Sequence, residues 1–292
     1  MSDVIVRGTA ADAQVRVFVA MTKDLVQQAF DYHKTSPVVS AALGRLLTAG
    51  AMMGYMQKGE EEKLSLIIEG DGPLRKMTVT ANAKAQVKGY VSDKTIDIPL
   101  KPNGKLDVSA AIGSGTLTVV KDLGLKEPYV GTTPLQTGEI GDDLTYYFTA
   151  SEQIPSAVGL GVLVDTDYSI RQAGGFIIQL MPDAADEVIT QVEKNLGQIQ
   201  SVTSLFEEGK RAQDIFAVLT EGLGGEIADT IIPAYVCDCS EDRIRRALTS
   251  LGKEEIRAMI DDKETIEVHC DFCNRFYYFT VEQLQEILKE AR

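Results

Sequence analysis

Cys237-Asp238-Cys239, then 30 residues, then Cys270-Asp271-Phe272-Cys273: these two short stretches hold every cysteine of the 292-residue chain. The 236 residues before them contain none. Thiols used as core filler would be scattered, so the clustering points to a shared task. Two close pairs at this separation have the spacing of a site built from four thiolates, with zinc the default ion. Two positions apart on an extended chain, Cys237 and Cys239 point to the same side. Cys270 and Cys273 join two strand-like runs, Thr265–His269 and Arg275–Phe279, through a tight turn, a zinc knuckle. One ion can therefore be gripped from both sides. Residues 233–292 are too few to build a large core. Metal binding is expected to supply most of their folding free energy, on the order of 10 kcal/mol or more.

The residues around the cysteines carry helix signals. Ser240 is placed to cap a helix with Glu241 and Asp242 in its first turn and Ile244, Ala247, Leu248 and Leu251 on its inner face. Gly252 stops it, and a second short helix is expected over Glu254–Ile260. Thr280 and Gln283 form a capping box for a last helix whose Leu284, Ile287 and Leu288 point inward.

Upstream, the character of the chain changes at Met181-Pro182-Asp183. Asp183 reads as a helix cap, followed by a single apolar stripe of Val188, Ile189, Val192, Leu196 and Ile199. Further helix is expected around Ser204–Glu208 and Ala212–Thr220, where Ile215, Phe216 and Leu219 share a face, with Gly222, Gly224 and Gly225 ending it. Residues 183–232 thus read as a helical linker with a thin stripe and many charges. Such a segment must dock on a neighbour, and it reads equally as a metastable linker that can open locally or as an ordinary helical layer covering the sheet.

Residues 1–182 read as an α+β core domain. Strands are expected at Val4–Arg7 and Ala13–Met21, and a helix at Thr22–Tyr32. Ser36-Pro37 opens a second helix that runs to about Met56, apolar nearly all round and therefore buried. Gly44, Gly50 and Gly54 on it suggest close backbone packing. Leu64–Glu69 and Leu74–Ala81 flank Gly70-Asp71-Gly72-Pro73 as a hairpin. More strands are expected at Gln86–Val91, Ile96–Leu100, Leu106–Ala111 and Thr116–Lys121. The density of strands after early helices predicts an antiparallel-rich sheet with packed helices, not a doubly wound one.

Composition narrows the function. The chain carries 29 basic and 43 acidic side chains, a net charge of −14, and the last sixty residues are also acidic. That opposes nucleic acid or an anionic membrane as partner. No run of 18 apolar residues and no secretory leader pattern is present, so a cytoplasmic, reducing setting is expected. No GxxxxGK[ST] loop occurs. Two histidines, His33 and His269, offer little for acid–base catalysis, and no nucleophile arrangement is evident, so no catalytic residue is assigned. His33 is expected at the surface or its boundary, and His269 outside the ligand set, because four sulfurs complete a tetrahedron. Zinc-bound thiolates can also meet oxidants. The site can then be a permanent staple, as in a protein-interaction adaptor, a switch, or part of a thiol–disulfide oxidoreductase.

The spacing of CxC and CxxC near the C-terminus resembles that of the thirty-three-kilodalton heat-shock protein family of redox-regulated holdase chaperones. Arg7-Gly8-Thr9, Thr35-Ser36-Pro37, Glu69-Gly70-Asp71-Gly72-Pro73, the run Tyr146 to Pro155 and the run Ala173 to Pro182 are similar to that family too. The resemblance implies that Cys237, Cys239, Cys270 and Cys273 hold one zinc per chain when reduced, in an inactive protein. It implies that peroxide with heat, or hypochlorous acid, oxidises them to Cys237–Cys239 and Cys270–Cys273 disulfides. Zinc loss then unfolds residues 233–292 and the linker 183–232. The exposed surface binds unfolded, aggregation-prone client proteins without ATP, as a homodimer, and ATP-dependent chaperones take the clients over.

Overall fold

The computed structural model describes residues 2–291, and these divide into two compact units, one ending at Val236 and one beginning at Cys237. The expected boundary at residue 233 therefore moves. Ala234 and Tyr235 belong with the first unit, because they pair with one of its strands.

The first unit opens with β1 (Val4–Ala10) and β2 (Val15–Met21), antiparallel neighbours with Val6 opposite Val19. Helix α1 (Lys23–His33) follows, its free N–H groups taken by the buried Asp3 carboxylate, which accepts from Asp24 and Leu25. Helix α2 (Pro37–Tyr55) starts with Pro at its first turn. It is long and apolar enough by composition to cross a membrane, yet its side chains are buried in this core, Met52 and Met53 among them. The glycines on it mark close approaches. A Cβ at Gly44 would lie 2.7 Å from Val26, and one at Gly54 would lie 2.6 Å from the Asn82 carbonyl oxygen.

Next come β3 (Lys63–Gly70), β4 (Lys76–Asn82) and β5 (Gln86–Val91), each antiparallel to the one before, with the expected hairpin joining the first two. Two expected strands are absent. Residues 96–100 form no ladder; the chain here meets the entry of α2, where the Ser36 hydroxyl donates to the Ile96 carbonyl and the Ser36 N–H donates to the Lys94 carbonyl. Ile96 and Ile98 still pack on the core. Residues 108–112 form helix α3 (Val108–Ile112) instead, since the Asp107 carboxylate accepts from the Ala110 N–H and starts a turn. Then follow β6 (Gly115–Asp122), β7 (Tyr129–Pro134), α4 (Gly141–Ala150), β8 (Ser156–Val164) and β9 (Ile170–Leu180).

The connector contains α5 (Asp186–Gly197), α6 (Val202–Glu207), α7 (Ala212–Leu219) and then a strand, β10 (Glu226–Ile231). It is therefore not helical throughout. β10 pairs with the open edge of β1, and Arg7 grips Asp229 through two contacts while the Tyr55 hydroxyl donates to the same carboxylate. Asp183 does not cap α5: it has φ +66°, and the helix begins after Ala185. β11 (Ala234–Tyr235) closes the unit, parallel to β5.

Two sheets result, with strand orders β10-β1-β2-β9-β8 and β11-β5-β4-β3-β6-β7, antiparallel except at β11. Helix α2 packs against both and forms the centre of the main core. The second core lies on the first sheet. Val6, Val17, Val19, Phe176 and Ile178 of that sheet meet Val202, Leu205, Phe206, Ile215, Phe216 and Leu219 of the connector. Of the expected stripe, Val192 is buried in this core and Val188, Leu196 and Ile199 pack against it partly buried. His33 is buried at 4% exposure, against the surface position expected for it. Its Nε2 lies 3.0 Å from the Gly89 carbonyl oxygen and 3.3 Å from the Tyr235 hydroxyl.

The second unit holds α8 (Glu241–Thr249), α9 (Lys253–Asp261), β12 (Ile266–His269), β13 (Phe276–Phe279) and α10 (Val281–Glu290). Ser240 caps α8 by accepting from the Arg243 N–H, and Thr280 with Gln283 forms the expected capping box on α10. Its core is small: Leu248, Ile256, Phe279, Leu284, Ile287 and Ala291.

Candidate metal centre

The knuckle is built by the hairpin of β12 and β13. His269 pairs with Phe276, and the Cys270 N–H donates to the Arg275 carbonyl at 2.9 Å. The turn between them is closed by the Cys270 carbonyl oxygen, which accepts from Cys273 and Asn274. Asn274, at φ +56°, reverses the chain there. Cys237 and Cys239 lie on a stretch without regular structure before α8. Asp238 between them points away and pairs with Arg243.

This folding brings all four sulfurs within 4.8 Å of one another. Cys237 Sγ lies 3.7 Å from Cys270 Sγ, and Cys239 Sγ lies 3.4 Å from Cys273 Sγ. All four are free thiols, Cys270 buried and the others partly buried. Around an ion with bonds of about 2.3 Å, tetrahedral sulfurs stand about 3.8 Å apart. The donor set and its spacing therefore fit a four-coordinate zinc-type ion, whose role would be to hold the four sulfurs as thiolates.

The sulfurs are not equivalent. Burial pushes the Cys237 thiol far above its ordinary range, and hydrogen bonds with the neighbouring sulfurs add to the rise. Burial raises Cys273 as well. At Cys239 burial acts the same way, but hydrogen bonds from the Tyr277 hydroxyl and the other three sulfurs outweigh it and bring the thiol down to about 7.

His269 stands outside the set. Its Nε2 is 2.7 Å from the Asn274 side-chain oxygen, and its Nδ1 is 3.4 Å from Asp271. Tyr277 is the residue that sequence reasoning missed. Its hydroxyl donates to Cys239 Sγ at 3.0 Å. A tyrosine on a short strand reads as packing, and only the folded hairpin carries it to the CxC half. A cavity elsewhere of about 580 Å³, beside β8, α4 and the turn from α5 to α6, gathers no comparable set of reactive groups.

The match to known proteins extends over nearly the whole chain. The family model described as Hsp33 protein matches residues 3–280. A protein named 33 kDa chaperonin from Lachnoclostridium phytofermentans is 51% identical over 291 residues, covering 100% of both chains. Another of that name from Caldanaerobacter subterraneus subsp. tengcongensis is 50% identical over 292 residues, covering 100% of this chain and 99% of the relative. The crystal structure of the 33 kDa chaperonin (heat shock protein 33 homolog) from Thermotoga maritima has a TM-score of 0.92 and 38% identity, covering 99% of this chain and 98% of that one. With sequence, fold and cysteine cluster all in agreement, the chain belongs to the Hsp33 family of chaperones.

Proposed function

We propose that this chain is a redox-regulated, ATP-independent holdase of the cytoplasm, not an enzyme, inactive while zinc is bound to Cys237, Cys239, Cys270 and Cys273. The observation that carries the proposal is the set of four free thiols within 4.8 Å, in a unit whose own core contains six buried apolar side chains. So small a core leaves folding dependent on what joins the two cysteine pairs.

Oxidation removes that junction. Each disulfide takes two electrons from two thiolates and passes them to one peroxide, which leaves as two hydroxides, or to hypochlorous acid, which leaves as chloride and hydroxide. The sulfurs then carry no negative charge to hold the ion. Which sulfurs pair decides the consequence. Two close sulfur contacts cross between the halves, Cys237 with Cys270 at 3.7 Å and Cys239 with Cys273 at 3.4 Å. Crossed disulfides would clip the halves together and preserve the unit. Pairs within each half, Cys237–Cys239 and Cys270–Cys273, leave nothing joining them, and the switch requires this arrangement. The unit then unfolds and the connector from 183 onward loosens. Its departure bares the apolar face of Val6, Val17, Val19, Phe176 and Ile178 to unfolding clients. Two such chains associate as the active homodimer, and clients pass later to ATP-dependent chaperones.

The test joins peptide mapping under non-reducing conditions to suppression of aggregation of an unrelated heated protein. Pairs within each half, with holding activity that appears on oxidation and disappears with reductant and zinc, are expected. Crossed pairs, or zinc that survives peroxide, would make the site a permanent staple.

A further inference from the structure

We propose that Tyr277 is a positioning residue of the metal centre: its hydroxyl fixes the Cys239 sulfur in place and engages the lone pair that an oxidant would attack. The inference rests on the reading of the four cysteines as one zinc site. Along β13 the side chains alternate. Phe276 and Tyr278 are exposed, whereas Phe279 is buried in the unit's core and the Tyr277 ring packs against that core. The Tyr277 ring is therefore seated by packing and its hydroxyl is aimed by the strand, not by a flexible stem. It crosses from the knuckle's hairpin to the other half of the site and donates to Cys239 Sγ at 3.0 Å. No other hydroxyl donates to a cysteine sulfur among the described hydrogen bonds.

A thiolate bound to a metal keeps lone pairs that accept hydrogen bonds, and partners of this kind orient ligands and tune them. The same lone pair attacks peroxide. An S–O bond forms as the O–O bond breaks and hydroxide leaves, and a second thiolate then displaces hydroxide from sulfur to make the disulfide. A donor on Cys239 weakens its attack without blocking metal binding. Tyr277 would thus both tighten the resting site and raise the oxidant exposure needed to open it.

The experiment uses the full-length chain, Tyr277→Phe, and Tyr278→Phe as the neighbouring loss of a hydroxyl. Zinc affinity is read by chelator competition, and the site's electronics by the sulfur-to-metal charge-transfer band after loading with cobalt(II). Tyr277→Phe should weaken zinc binding by about 10-fold, move the band to lower energy and speed peroxide-driven zinc release, while Tyr278→Phe matches the parent. Replacing Tyr277 by 3-fluorotyrosine, a stronger donor that keeps the ring, should move the band the other way even if the phenylalanine variant folds poorly. An unmoved band in both substitutions, with parent-like affinity, overturns the assignment and leaves the zinc site standing. A parent chain that binds no zinc overturns the four-cysteine reading itself and this inference with it.

Discussion

The main core and the cysteine unit solve the same problem by opposite means. The first wraps two sheets around one apolar helix and buries Leu46, Leu47, Met52, Leu66, Tyr147 and their neighbours almost completely. The second buries six apolar side chains and draws four sulfurs together. Hydrophobic burial cannot be switched off by a change of solvent redox state, whereas a thiolate cluster can. On the proposed function, the difference would place sensing in the unit that has least else to hold it and leave the larger fold as a platform. Between the two in sequence lies a connector whose second core is half sheet and half helix; on the proposed function its release would uncover apolar surface that is already shaped.

The sharpest way to break the contrast is Cys270→Ser. It would remove one of the four proposed ligands, so residues 237–291 should lose most of the on the order of 10 kcal/mol that a structural zinc contributes. Hydrogen exchange should show that unit unprotected while α2 and the six-stranded sheet exchange as before. Leu47→Ala inverts the test. Leu47 is fully buried in the main core, and a cavity there should lower unfolding stability by about 3–4 kcal/mol, read by denaturant titration, with zinc content unchanged. Phe216→Ala probes the connector. Its ring fills the space above Gly8, where a Cβ would lie 2.6 Å away. Loss of about 3 kcal/mol should appear as faster exchange over 186–231 and as partial holding activity in the reduced, zinc-loaded protein. The smallest change is Tyr235→Phe. The Tyr235 hydroxyl donates to the Gly89 carbonyl at 2.8 Å and accepts from the Gly89 N–H, two residues before the first sulfur. Losing these bonds should cost about 1–2 kcal/mol and loosen β11, seen as exchange at Val87 and Val236.

These regions differed in how far they could be read beforehand. The cysteine spacing, the cap at Ser240 and the capping box at Thr280 are local signals, and the folded unit carries all three. The buried helix opened by Ser36-Pro37 was equally legible, because apolar character on every side has one explanation. What sequence did not show depends on distant partners. Residues 226–231 become a strand because β1 has an open edge and Arg7 meets Asp229 across it. His33 is buried because Tyr235, 202 positions away, closes over it. At residues 94–96 the Lys94 and Ile96 carbonyls accept from Ser36 at a helix entry instead of joining a ladder. Tyr277 carries no pattern at all until the hairpin sets its hydroxyl against Cys239.

The most direct test of a switch mounted on a stable platform is hydrogen exchange followed segment by segment through oxidation, with zinc release recorded in the same sample. Loss of zinc should coincide with loss of protection in 237–291, followed by 183–231, while β3, β4 and α2 keep theirs. If zinc leaves and the connector stays protected, or if the whole chain loses protection together, the separation of sensor from platform is wrong.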